Sequence, residues 1–212
     1  MTRILVIADE VDEALYGETL RRLRPDLVLA AGDLPFDYLE YIVSRLDVPL
    51  VFVPGNHDRD LSPGDSTWVP RRTEGPLRGP RGCVNADGRI VDAAGLRIAG
   101  LGGSLRYRPG PNQYSQVDMR WRAFALEAQG RVKHALDGHA TDILLTHAPP
   151  AGVGDAADPA HLGFEAFGRL VKVLSARLLV HGHIHPYGTR QADRRLGDTV
   201  VMNAIPSRLV EL

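Results

Sequence analysis

The sequence predicts an α/β fold: two mixed sheets packed face to face with helices outside both, an α-β-β-α sandwich forming one domain over residues 1–212. Three observations carry this. Through residues 3–53, apolar β-branched runs alternate with amphipathic stretches, a spacing that specifies βαβ units and parallel strands with right-handed crossovers. From Cys83 onward the rhythm changes to short strands separated by turn signals, which reads as antiparallel pairing. Finally, several apolar runs end in oxygen or imidazole side chains, and strand ends are where α/β sheets place their ligands.

Each element follows from local pattern. RILVIA (3–8) is a strand buried on both faces, and Leu15, Leu20 and Leu23 among charges predict an amphipathic helix over 12–24. Leu27 to Ala31 is the second strand. Leu39, Ile42, Val43 and Leu46 lie at helical spacing within 36–46, and residues 49–53 form the third strand before Pro54-Gly55 turns the chain. Residues 59–82, rich in Pro, Gly and Arg, show no period and predict a long loop whose Arg71, Arg72, Arg78 and Arg81 are solvated. Hairpins are expected over 83–102, with turns at Asp87-Gly88 and Ala94-Gly95. A second loop (102–116) precedes a helix over about 117–136. A strand at 142–146, a loop, a helix near 163–175 and a strand at 177–181 follow, and the tail reads as further antiparallel strands.

Composition bounds the function. Hydrophobic content of 44% and charged content of 24% suit a globular protein, and a formal charge of −1 gives no reason to expect tight nucleic-acid or membrane binding. Cys83 is the only cysteine, which excludes a disulfide and a thiolate metal cage. No apolar run approaches a membrane span and the N-terminus lacks a signal-peptide pattern, so a cytoplasmic setting is expected. The sequence assigns no oligomeric state.

The polar residues at strand ends are Asp9 after ILVIA, Asp33 after LVLAAG, Asn56-His57-Asp58 after VFVPG, His147 after ILLT, and His183 and His185 after LLVHG. Imidazole, carboxylate and amide donors without thiolate suit Mn, Fe, Zn, Ni or Co better than Ca or Mg. A carboxylate such as Asp33 can bridge two cations ~3.5–4 Å apart, an arrangement common in phosphoryl hydrolysis.

GD at 32–33, GNHD at 55–58, THAPP at 146–150 and GHIH at 182–185 resemble the calcineurin-like metallophosphoesterase family in order and in placement after apolar strands. The resemblance implies a four-layer α-β-β-α sandwich and two divalent transition metals, manganese favoured. It places Asp9 and His185 on metal 1, Asn56, His147 and His183 on metal 2, and Asp33 between them. It makes His57 the general acid or a transition-state hydrogen-bond donor, not a ligand. The implied activity is hydrolysis of a small phosphomonoester or phosphodiester by a metal-bridged hydroxide. The alternative is a catalytically weakened member acting as a protein–protein scaffold.

Two departures from the family pattern stand out. The family carries Asp-x-His where this chain has Asp9-Glu10-Val11, which leaves metal 1 an imidazole short and predicts weaker binding there. Glu10 is expected to face away from its neighbours, and Asp12 to start the helix. The acid that orients His57 is expected at Asp37 or Asp58. Arg106, Tyr107 and Tyr114 in the second loop are candidate substrate contacts. His134, His139, His161 and His181 are assigned surface, packing or supporting roles.

Overall fold

The computed structural model describes residues 1–61, 79–188 and 192–212. The first sheet contains β1 (Arg3–Ile7), β2 (Leu27–Ala30), β3 (Leu50–Phe52) and β4 (Cys83–Asn85). The second is built from β5 (Ile90–Ala93), β6 (Leu96–Leu101), β9 (Ile143–Thr146), β10 (Leu178–His181), β11 (Arg194–Leu196) and β12 (Thr199–Asn203). The last strand, β13 (Ser207–Glu211), returns to the first sheet, and β7 (Ser104–Leu105) with β8 (Gln113–Tyr114) makes a small ribbon. The helices are α1 (Glu18–Leu23), α2 (Phe36–Leu46), α3 (Gln116–Asp137) and α4 (Glu165–Leu174).

Strand order is β13-β1-β2-β3-β4 in one sheet and β11-β12-β10-β9-β6-β5 in the other. Parallel pairs fill both centres, and antiparallel pairs close the β13 edge of the first and both edges of the second. Side-chain alternation produces the layers. Ile4, Val6, Leu29 and Val51 pack against Ile98, Ile143, Leu145 and Val180 between the sheets. Leu5, Ile7, Val28 and Phe52 face Tyr38, Leu39 and Ile42 of α2. Leu101, Leu144 and Leu179 face Met119 and Leu126 of α3 and Phe167 and Leu170 of α4. Truncating a fully buried side chain such as Phe167 to Ala costs about 3–5 kcal/mol.

Three expectations are corrected. The helix over 12–24 is a 3-10 turn (Glu13–Leu15) and then the short α1, because Gly17 takes φ 93 and donates its N–H to the Tyr41 hydroxyl. Cys83–Asn85 is not part of a hairpin; it pairs parallel to β3, and within 83–102 the hairpin is β5 with β6. The tail is antiparallel only in part. β11 with β12 and β13 with β1 pair that way, as expected, but β12 also runs parallel to β10, and β13 crosses to the other sheet to find its partner. Most of the expected 59–82 loop, with Arg71, Arg72 and Arg78, lies outside the described residues.

Candidate metal centre

Segments following β1, β2, β3, β9 and β10 bring their polar residues to one end of the two sheets, so both layers contribute. Asp9, Asp33 and His183 adopt left-handed backbone with φ 58, 56 and 68. Such conformations are strained outside glycine and persist where the surroundings over-determine them. Here the restraints are mutual. Asp9 donates its N–H to the Gly32 carbonyl at 3.0 Å and accepts the His183 N–H at Oδ2 at 2.9 Å. Asp58 Oδ2 accepts the N–H groups of Asp33 and Gly55 at 3.0 and 2.7 Å, and Asp33 Oδ1 accepts that of His57 at 2.8 Å. Glycine is required at two close approaches: a Cβ on Gly55 would sit 2.1 Å from Asp33 Oδ1, and one on Gly182 2.1 Å from Asp9 Oδ2.

The three imidazoles are each held by one nitrogen. His147 Nδ1 donates to the Ala31 carbonyl at 2.7 Å, which directs Nε2 toward Asn56 Oδ1 (2.9 Å) and Asp33 Oδ2 (3.4 Å). His183 Nε2 donates to the Ala160 carbonyl at 2.8 Å, leaving Nδ1 as its free donor atom. His185 Nδ1 bonds Glu10 Oε1 at 2.7 Å, and its Nε2 lies 4.0 Å from Asp9 Oδ1. One possible ligand atom from each of Asp9, His147 and His183 lies within 4.8 Å of the others.

Electrostatics follow from this crowding. Burial pushes the Asp9 carboxyl up to about 6 against the pull of His147. Burial also acts to raise Asp33, but His147 and the His57 N–H outweigh it and hold the carboxyl below its usual range. Burial opposes charge on His147, yet Asp33 and Asp9 push it up to about 9. His183 is pushed down to about 3, first by burial and then by His147. The His147 Nε2 is thus enclosed by carboxylate and amide oxygens, a position where a divalent cation would take the place of a proton. Backbone carbonyls that fix ring tautomers are the usual support of metal-ligating histidines, so the donor set fits borderline divalent metals.

Of the remaining candidates, His57 is exposed, with only its N–H tied into the centre through Asp33. Tyr107 reaches the site, its hydroxyl accepting from Asn56 Nδ2 at 3.5 Å. Arg106 and Tyr114 are engaged elsewhere. The Arg106 guanidinium donates to the Gln113 carbonyl and lies 3.5 Å from Asp118, while Arg122 covers the Tyr114 ring at 4.1 Å. Asp58 does not serve His57 but braces the Gly55 and Asp33 backbone. Asp37 stands exposed in the first turn of α2. His181 is buried, its Nδ1 on the Gly182 carbonyl, and burial pushes it down to about 4. His161 packs its ring 5.2 Å from that of His183.

Glu10 corrects an expectation: it turns toward the site. β1 ends at Ile7, so strand alternation no longer applies where Asp9 is left-handed and the Glu10 N–H closes onto the Ala8 carbonyl at 2.6 Å. Val11 instead packs against the apolar cluster beneath α2. Asp12 does cap the 3-10 turn, accepting from the Ala14 N–H. Asn112 was missed by the sequence reading. Its Nδ2 donates to the carbonyls of Gly55 and Asp58, both at 3.0 Å, lacing the second loop to the GNHD turn. The available signal was an asparagine in a Pro/Gly-rich loop, a residue that tolerates the positive φ found there, 50°.

Fold and site together define a metal-binding hydrolase scaffold. The chain belongs to the calcineurin-like phosphoesterase family, whose sequence profile matches residues 2–187, and that family carries out metal-dependent phosphoester hydrolysis. A protein of Haemophilus influenzae described as uncharacterized is 29% identical over an alignment of 182 positions covering 74% of this chain and 72% of the relative. The crystal structure of TT1561 from Thermus thermophilus superposes with a TM-score of 0.59 at 17% identity, covering 96% of this chain and 88% of that one. A second crystal structure gives the same TM-score at 16% identity, covering 96% and 90%. At these identities the structural matches speak for the fold. Among the described residues, no helix is long and apolar enough to cross a membrane.

Proposed function

We propose that this protein hydrolyses a small phosphomonoester or phosphodiester at a dinuclear centre. Asp9 and His185 would hold one cation, Asn56, His147 and His183 the other, with Asp33 shared. The observation supporting this best is that three imidazoles each have one nitrogen committed to a carbonyl or carboxylate, which turns the other toward the cluster of Asp9, Asp33 and Asn56. When bound, two divalent cations supply Lewis-acid polarisation of the phosphoryl oxygen and an activated water nucleophile.

The chain's own residues do the rest. Asp33, held in register by the His57 N–H and by Asp58, keeps its second oxygen facing His147. Asn56 spans the centre and the second loop, its amide touching both His147 and Tyr107. His57 presents an exposed imidazole next to the anchored Asp33, where it can hold a proton for the departing oxygen. The Tyr107 hydroxyl is placed to donate to a phosphate oxygen, and it takes over the substrate role expected of the second loop.

The test is turnover of p-nitrophenyl phosphate and bis(p-nitrophenyl) phosphate before and after stripping with EDTA. Activity should vanish on stripping and return with Mn²⁺. Hydrolysis indifferent to EDTA, or no turnover of either ester by protein carrying two metals, would overturn the proposal.

A further inference from the structure

The residue beside Asp9 has a place in this site that the family pattern does not foresee. Where the pattern puts an imidazole, the partly buried Val11 packs against the apolar cluster that includes Leu15 and the helix-facing side of the first sheet. The left-handed turn at Asp9 swings Glu10 toward the second histidine of GHIH, and Glu10 Oε1 meets His185 Nδ1 at 2.7 Å. A carboxylate accepting from Nδ1 leaves the proton there and the lone pair on Nε2, and Nε2 is the nitrogen that faces Asp9 Oδ1, 4.0 Å away. The groups therefore follow one another as carboxylate, imidazole and the carboxylate of Asp9. The other two histidines have rigid main-chain carbonyls as their braces, those of Ala31 and Ala160. His185 is the more exposed ring, and its brace is a side chain.

We propose that Glu10 is a positioning residue for the Asp9–His185 cation: it sets the His185 tautomer and aims Nε2, and so offsets the imidazole lacking at position 11. This rests on the dinuclear reading above. Partners of this kind change metal affinity by about 10–100-fold when removed. A brace acts only through the ring it holds, and its effect should vanish when that ring is gone.

The experiment is a Mn²⁺ titration of the full chain, read as loss of the free-ion EPR signal, on wild type, Glu10→Ala, Glu10→Asp, Glu10→Gln, His185→Ala and the Glu10→Ala/His185→Ala double variant. Wild type should show a tight and a weaker class of site. Glu10→Ala should weaken the second class about 10–100-fold and leave the first unmoved. Glu10→Asp, one methylene short of Nδ1, should behave like Glu10→Ala, whereas Glu10→Gln keeps an acceptor and should fall between. In the His185→Ala background, Glu10→Ala should cost nothing more. Unchanged binding in Glu10→Ala would reduce the contact to an exposed ion pair and overturn the proposal. An additive loss in the double variant would also overturn it, by making Glu10 a direct ligand. A wild-type protein that binds no Mn²⁺ would instead refute the dinuclear reading itself, a result separable from failure of Glu10 alone.

Discussion

A methyl group on Gly182 would lie 2.1 Å from Asp9 Oδ2 and 2.7 Å from the Ala8 Cβ, so the smallest possible side chain there collides with a proposed ligand. Gly182→Ala has to displace the Asp9 carboxylate and shift the chain away from the Ala8 Cβ, so it should lower Tm and lose a bound metal by elemental analysis. Retention of two metals would show that Asp9 is not a ligand in its present position. His57 makes the opposite case. Its side chain is exposed and only its N–H is structural, so His57→Ala should keep the Asp33 contact and the metal content. The loss should appear in kcat, by ~10²–10⁴-fold on alkyl phosphate esters and much less on p-nitrophenyl esters, whose phenolate leaves without a proton. Equal losses on both would remove His57 from the role of acid.

Individual elements are anchored by polar ties of uneven depth. Arg97 on β6 is 4% exposed and reaches three partners: Asp92 on β5 at 2.8 Å, Asp137 at the end of α3 at 2.6 Å, and the His139 carbonyl at 2.7 Å. It pins the hairpin to the long helix. Both carboxylates are held below their usual range, chiefly by hydrogen bonds from this guanidinium. A carboxylate depressed in the folded state adds stability above its unfolded value near ~4, and that stability is lost as pH falls through the folded value. Arg97→Met should therefore lower Tm by several degrees at neutral pH. The gap from wild type should narrow as the pH drops from about 5 toward 2. A gap of constant width across that range would mean that Arg97 acts through packing alone.

At the scale of the molecule, the site joins layers that otherwise meet largely through apolar contact. Asp9, Asp33 and Asn56 follow strands of the first sheet, and His147, His183 and His185 follow strands of the second. A cation bound between them should stabilise the packed sandwich against its separated sheets. At a free Mn²⁺ concentration a hundredfold above Kd, linkage contributes about 2.7 kcal/mol. For a chain of this size that is a rise in Tm of roughly 5–10 °C over EDTA-treated protein, measurable by scanning calorimetry. An unchanged Tm in Mn²⁺ would mean that the folded chain does not bind the ion in preference to the unfolded one.

By itself the sequence determined the two-sheet architecture and most of the polar residues that gather at the candidate centre. Apolar alternation and strand-end polar residues are local patterns, set by the chain's own periodicity around Ile4–Asp9, Leu27–Asp33 and Ile143–His147. Other features waited on tertiary structure because they depend on partners far along the chain. The Gly17 turn rests on a hydroxyl from α2, and β13 pairs with β1 across nearly the whole sequence. Arg106 and Tyr107 are neighbours in one loop, yet only the tyrosine reaches the centre; the arginine is drawn to Gln113 and Asp118. Glu10 shows the physical reason most clearly. Strand alternation sends it outward, but alternation holds only while the backbone stays extended, and a left-handed Asp9, held by Gly32 and His183, turns it toward His185 instead.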